Sequence, residues 1–246
     1  MHADSRVVTI LGSYRRALRI AALAAVSVVA LAGCCGSSGS AKPEPTRPAA
    51  QILHDVRAVV ADATSVHLSG HVTSTTAINL DLHLARTGGS GKVSSKGIAF
   101  RVTRIGNAAY FTGTQAFYRH FTNPVGIALL NGKWLKVPAT DTRFAAFSRL
   151  TDMTALLGQV LQPTGTVVKV GTQALDGVRV IGLRDTTHRG TLYVSATGVP
   201  YPVEVVTTGA HPALVKFDHW NQQITLRAPA NPIHLWQLEK LGGLSQ

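Results

Sequence analysis

Cysteine is nearly missing from this chain. There are two, adjacent at Cys34 and Cys35, and none in the long remainder, so no intramolecular disulfide staples its body. Aromatic residues are sparse at 6%, whereas Val, Leu, Ile and Thr are plentiful, a balance that leans toward sheet. Acidic side chains vanish between Asp81 and Asp141, a stretch that holds Arg86, Lys92, Lys96, Arg101, Arg104, Arg119, Lys133 and Lys136. Catalytic signatures are also wanting. Thr87–Lys92 superficially looks like a phosphate loop, but Arg86 stands where its first glycine belongs and Val93 replaces the Ser/Thr that would reach magnesium. No Gly-x-Ser-x-Gly or His-Glu-x-x-His occurs. The ten histidines are scattered. His67 and His71 would share one face of a regular strand, with His83 as a neighbour, yet a metal site needs three or four converging ligands and a second shell. The expectation is therefore no metal, no cofactor and no enzyme.

What is present begins with the N-terminal segment. Arg15, Arg16 and Arg19 precede Ile20–Gly33, 14 residues without a charge. That run is too short for a spanning helix, which needs about 20 apolar residues, and suits the apolar core of a signal peptide. Met1–Tyr14 is long for the charged region in front of it, so a later translation start stays open. The run ends in Leu31-Ala32-Gly33-Cys34, a lipobox, whose cysteine becomes the lipidated first residue of the mature chain. Residues 1–33 are then the lipoprotein signal and 34–48 a Gly/Ser-then-Pro tether, flexible first and stiffer toward the body. Residues 49–246 form one domain with room for a real core. The leader holds four of the 24 basic and one of the 12 acidic residues, leaving 20 against 11, a net charge near +9. A surface of one sign attracts anionic partners, and for an exported, tethered protein these are lipid headgroups rather than nucleic acid; a soluble basic face is the equally weighted alternative.

Periodicity gives the elements. Ile52, Val56, Val59, Val60 and Ala63 make one helical stripe within Ala49–Ala63. Ile78, Leu80, Leu82 and Leu84 alternate with polar residues, as do Ile98, Phe100 and Val102, and Gly88–Gly91 reads as the hairpin loop between them. Further strands are expected at 108–112 and 133–137. Phe144, Phe147, Leu150, Met153, Leu156, Leu157, Val160 and Leu161 suit a broken helix or two short ones, with Thr151 as N-cap of the second. Strands resume at 167–170, 178–184, 191–194, 203–206, 214–220 and 224–226, and 234–241 closes as a short helix. Helix, strands, helices, strands argues an α+β fold: a large antiparallel sheet with helices on one face. The sheet's apolar face either packs solidly or curls around a cavity, and the pattern alone favours packing.

The order of several short motifs resembles the LppX/LprA/LprF/LprG family of mycobacterial and actinobacterial lipoproteins. These are the lipobox and tether, then Ala63-Thr64-Ser65-Val66-His67-Leu68, Gly106-Asn107-Ala108-Ala109-Tyr110-Phe111, Gly132-Lys133-Trp134-Leu135-Lys136-Val137, Gly198-Val199-Pro200-Tyr201-Pro202-Val203 and Phe217-Asp218-His219-Trp220. Gln115–Leu130 departs from it. The resemblance implies a fold similar to the periplasmic carrier LolA, a half-open antiparallel barrel whose helices close over a hydrophobic cavity, and a role in binding acylated lipids or glycolipids. On that basis Ile78, Leu80, Leu82, Leu84, Ile98, Phe100 and Val102 line one wall. Phe144, Phe147, Met153, Leu156, Leu157 and Val160 line the other, and Arg86, Lys92, Lys96, Arg101 and Arg104 meet headgroups or the membrane surface. The expected location is the outer face of the cell membrane, lipid-anchored through Cys34, with a lipid transporter as a partner. The other reading is an envelope lipoprotein with a packed core that docks a membrane-protein partner. If Cys34 is the anchor, Cys34→Ala leaves an unprocessed or released chain, read by membrane fractionation. A mature-length Cys34→Ala protein that stays with the membrane sinks the assignment.

Overall fold

The strand-forming stretches assemble into one twelve-stranded sheet. The computed structural model describes residues 47–73, 76–187 and 190–244, so the lipobox and most of the tether lie outside the described residues. Arg47–Gln246 form one compact unit. The order along the chain is α1 (Ala49–Asp62), β1 (Ser65–Thr73), β2 (Ala77–Ala85), β3 (Gly88–Ser95), β4 (Ile98–Ile105), β5 (Ala108–Gly113), α2 (Gln115–Tyr118), α3 (Pro124–Leu130) and β6 (Leu135–Pro138). Then follow α4 (Ala145–Ser148), a 3₁₀ turn (Arg149–Thr151), α5 (Met153–Val160), β7 (Val167–Leu175), β8 (Val178–Asp185), β9 (Gly190–Ser195), β10 (Pro202–Thr207), β11 (Ala213–Asp218), β12 (Ile233–His234) and α6 (Leu235–Lys240). Across the sheet the strands run β12-β6-β5-β4-β3-β2-β1-β11-β10-β9-β8-β7. Neighbours pair antiparallel, save the parallel β12–β6 pair at one edge. The fold is α+β, with short helices laid on one face of a large sheet.

Register explains which face is buried. Phe217, Leu68, Leu82, Gly91, Val102, Phe111 and Leu135 stand opposite one another from β11 to β6. The six side chains in that row are almost wholly buried, none more than 4% exposed. Gly91 is the small member for a steric reason. A Cβ there would lie 2.4 Å from Leu82 Cδ2 and 2.4 Å from the Asp81 carbonyl oxygen. The helices cover this row. In α1, Ile52, Leu53, Val56 and Val60 are buried, as the sequence stripe requires. Six of the seven phenylalanines gather at one end of the layer. Phe117 stacks on Phe100 at 4.6 Å and Phe144 on Phe111 at 5.6 Å, while Phe147 meets Phe100 edge-on at 5.2 Å and Phe121 meets Phe144 edge-on at 4.7 Å.

Three arginines tie the helical layer down. Arg86 donates to the carbonyls of Ala61 and Ala63 at the end of α1. Arg57, on α1, donates through Nε and Nη2 to the Leu161 carbonyl at the end of α5. Arg104 reaches from β4 to the Thr151 carbonyl at 2.9 Å and its hydroxyl at 3.2 Å. Helix C-termini leave carbonyls unpaired and carry partial negative charge, so a guanidinium serves both needs.

Three local expectations are corrected. Gly88–Gly91 opens β3 rather than forming the hairpin loop, because glycine lets the strand lie against Leu82 and Thr151; the turn is Arg86-Thr87. The cap of α5 is Asp152, whose carboxylate accepts from Ala155 N–H, whereas Thr151 is buried with its hydroxyl on the Ser148 carbonyl. Residues 224–226 form no strand. Asn221 and Gln222 bond to Ser65, and the chain then leads to β12 with Pro229 and Pro232 lacking the donors a ladder needs. Gln115–Leu130 carries α2 and α3, whose Phe117 and Tyr118 are both 1% exposed. Phe117→Ala should cost about 3–5 kcal/mol, while Trp236→Ala, 58% exposed on α6, should stay within about 0.5 kcal/mol. Denaturant unfolding of both variants checks the contrast.

Candidate functional site

The thirteen apolar residues expected to line a cavity fall into two groups. Leu82, Leu84, Phe100, Val102, Phe144, Met153 and Leu157 are fully buried in the packed core, where the helical wall touches the sheet wall through Phe100–Phe147 and Phe111–Phe144. Ile78, Leu80, Ile98, Phe147, Leu156 and Val160 pack against that core yet remain half-exposed. Burial fades along β2 in one direction: Leu84 and Leu82 are buried, Leu80 and Ile78 are partly open. Register extends the band sideways, since Val215 on β11 and Leu80 on β2 both stand opposite Gly70, and Val205 on β10 stands opposite Val215. Val205 and Val215 are half-buried members that the sequence did not single out. Gly70 permits the approach: a Cβ would sit 2.0 Å from the Leu214 carbonyl oxygen, and its φ is +148°. The site is thus an apolar band at the open end of the sheet's inner face.

The five expected headgroup residues separate as well. Lys92, Lys96 and Arg101 are exposed. Lys92 and Arg101 are cross-strand partners and border a surface cleft of about 250 Å³ with Phe100 and Thr114, and Lys96 sits with Gly97 in the β3–β4 turn, both at positive φ. Arg86, exposed as well, and Arg104, partly buried, are tied elsewhere. Their guanidinium donors are engaged by helix-end carbonyls, and Arg104 lies in the inward row opposite Gly89 and Ala109. A second cleft of about 530 Å³ lies beside α6, between Lys136, Arg143, His234 and Trp236.

Scattered in sequence, the histidines converge on the sheet's outer face. His67 pairs across strands with both His83 and Asp218. The His67 and His83 rings stack at 4.3 Å. His67 Nδ1 lies 2.6 Å from Asp218 Oδ1, His67 Nε2 lies 3.0 Å from Asp81 Oδ1, and His219 Nδ1 lies 2.6 Å from the same Asp218 oxygen. His219 holds a φ of +51°, a left-handed conformation uncommon outside glycine. His71, opposite Asn79 and Leu214, is exposed and stands apart from this group. Burial alone would lower the His67 imidazole, but hydrogen bonds and charge from Asp81 and Asp218 hold it above its ordinary value. Burial, joined by the His67 charge, pushes His83 down. Burial opposes the Asp218 charge, yet hydrogen bonds from His67 and His219 hold its carboxyl below the usual range. His83 neighbours His67 as the strand pattern suggested, His71 stands apart, and strand register rather than sequence spacing brings in Asp218 and His219.

Over 78% of its length the chain matches the crystal structure of LprF from Mycobacterium bovis, covering 100% of that chain, with a TM-score of 0.52 at 16% sequence identity. This likeness shows the fold: the expected half-open sheet with helices on one face. An uncharacterized conserved protein from Thermus thermophilus matches over 76% of this chain and 98% of its own, with a TM-score of 0.41 at 13% identity. No family model and no curated protein matches the chain. Among the described residues, no helix is long and apolar enough to cross a membrane.

A pH dependence follows from His67. Its raised value means the pairing is fully present below the unfolded histidine range, about pH 6.5, and is lost as pH rises through the folded value. Asp218, held low, contributes above the unfolded carboxylate range, about pH 4, and loses its contribution as pH falls through its folded value. The stability gap between wild type and His67→Gln should therefore be widest at about pH 5–6 and narrow above neutrality. Melting temperatures across pH measure it; a gap that widens with alkalinity contradicts the assignment.

Proposed function

We propose that this chain is an exported lipoprotein, anchored through Cys34, that shelters acyl chains of a lipid or glycolipid and carries it within the cell envelope. Residues 34–48 act as tether and 49–246 as the lipid-binding body. One observation carries the reading. An inward-facing apolar band, Ile78, Leu80, Ile98, Leu156, Val160, Val205 and Val215, is left half-exposed, although its Leu80 row runs through Val93 to Phe100 on β4, where packed aromatics cover the sheet. Apolar surface that faces inward and stays wet is a ligand-binding feature rather than a packing one. The fold shared with a mycobacterial lipoprotein structure and the lipobox support the same reading. Exposed Lys92, Lys96 and Arg101 give headgroups or the bilayer surface a cationic contact. Burial and release of acyl chains need no catalytic step, and a membrane lipid transporter is the natural partner in delivery.

A second reading rests on the seven fully buried residues. A body packed that well is also suited to docking a membrane-protein partner while holding no lipid.

One experiment separates the two. Native mass spectrometry of the protein from its own host, joined to fluorescent-lipid binding, should reveal a bound lipid. Leu80→Glu and Leu156→Glu should abolish binding with little change in melting temperature, since both side chains are half-exposed. By contrast, Leu82→Trp should overpack the core and cost about 1–3 kcal/mol. A wild-type protein that neither co-purifies with lipid nor takes one up leaves the docking module as the better account.

A further inference from the structure

The His67 group has the composition and the layered arrangement of a metal centre. Ligand atoms of His67, Asp81 and His83 all lie within 4.8 Å of one another, and the same holds for His67, Asp218 and His219. The two sets are not equivalent. Around a tetrahedral zinc-like ion, with bonds of about 2.0–2.2 Å, ligand atoms stand roughly 3.3–3.5 Å apart. Asp81 Oδ1 lies 3.0 Å from His67 Nε2 and 3.8 Å from His83 Nε2, distances that bracket that value. The His67–Asp81 contact is a hydrogen bond too, but Asp218 Oδ1, 2.6 Å from both His67 Nδ1 and His219 Nδ1, is closer than neighbouring ligands of one ion stand.

The second set supplies what the first one needs. A metal-bound histidine characteristically donates its other ring N–H to a carboxylate, which fixes the tautomer and the ring orientation. With His67 Nδ1–H given to Asp218, Nε2 is the atom that faces Asp81 and the one that must give up its proton to take an ion. Asp218 is itself oriented by His219. The His67 side chain is 17% exposed, against 51% for His83 and 62% for Asp81, so the central ligand is the fixed one; the His83 ring, stacked nearly parallel on it at 4.3 Å, must turn out of the stack to aim Nε2 at a shared ion, which its exposure allows. Asp81 and Asp218 supply two negative charges to a dication, while Lys92, the cross-strand partner of Asp81, and Lys216, paired with Asp176, are cations that share this face. Imidazole with one carboxylate suits a borderline first-row cation over calcium or magnesium, which favour all-oxygen shells.

We propose that His67 Nε2, Asp81 Oδ1 and His83 Nε2 form a binding site for a divalent cation of the zinc class on the outer face of the sheet, with Asp218 as the carboxylate behind His67. Three protein ligands leave one coordination position for water or for a donor atom of a partner. The site lies on the opposite face from the apolar band and does not depend on lipid being bound there. Binding displaces the proton from His67 Nε2, so affinity falls as pH drops through the histidine range.

The test uses the full chain in detergent, in a Cys34→Ser/Cys35→Ser background so that no thiol competes. Titration with Zn²⁺ by calorimetry at about pH 7.5, where ordinary histidines are neutral, should show one stoichiometric step. Co²⁺ substitution should give the visible bands of a four-coordinate nitrogen/oxygen site. His67→Ala, His83→Gln and Asp81→Asn should each remove the step, and Asp218→Asn should weaken it about 10- to 100-fold. His71→Ala should leave it in place, and His219→Ala, which acts only through Asp218, should weaken it less than Asp218→Asn does. Melting temperature without metal confirms that each variant is folded. The proposal is overturned if wild type shows no stoichiometric step, if the step survives His83→Gln, or if His219→Ala removes it while His83→Gln does not.

Discussion

The register of β1 is the constraint on which both faces of this protein depend. β1 is the seam of the sheet: β2 lies on one side, its hairpin partner, and β11 on the other, reached from far along the chain. Side chains alternate across a strand, so a slip of one residue exchanges the two faces. In the observed register Leu68 points inward, opposite Leu82 and Phe217, and His67 points outward, opposite His83 and Asp218. The inward set is tightly packed and fixes the register; the outward set inherits its convergence at no further cost in chain ordering. Gly70, where the β11 backbone comes too close for any side chain, reinforces the same alignment.

The helical layer is held by a different logic. Its helices are short, most of four to eight residues, and such segments are weak by themselves. Arg57, Arg86 and Arg104 compensate by joining helix-end carbonyls to the neighbouring helix, a turn and the sheet. Aromatic contacts weld α2, α4 and β4–β5 at one end. In the same rows on β2 and β11, Leu80 and Val215 join no such aromatic cluster, so any opening of the layer would begin at the apolar band rather than at the phenylalanine cluster.

Much of this organisation was legible in the sequence because it depends on local period. The stripe of α1 and the alternation of β2 and β4 need no knowledge of partners, and they place Leu82 and Val102 inward without error. Strand order is different. That Asp218 would meet His67 is decided by a pairing 151 residues apart, and no local pattern encodes it. Asp81 and His83, separated by one residue, already shared a face in the alternating run, and His83 could be placed beside His67; Asp218 and His219 were the hidden part. The basic residues misled for a related reason. Charge predicts an exposed side chain, but Arg104 faces inward because a helix-end carbonyl waits there, and that carbonyl exists only once the helical layer has docked. Glycine misled in the opposite direction: Gly88–Gly91 has turn composition, yet it lies in a strand where the space beside Leu82 is already occupied.

An open sheet has two free rims, and both are blunted. At one rim stands β12, two residues long. At the other stands β7, interrupted between Lys169 and Thr172, with Gly171 at a φ of +108°. Short edges and bulges are the means by which sheets refuse a second sheet. For a chain held to a surface by a lipid, as proposed through Cys34, this matters more than in free solution. Crowding many copies into two dimensions raises their mutual encounter rate, and an intact rim would turn each encounter into a nucleus for strand-to-strand polymerisation. An interrupted β7 would let such a protein be abundant at a membrane while its sheets stay separate.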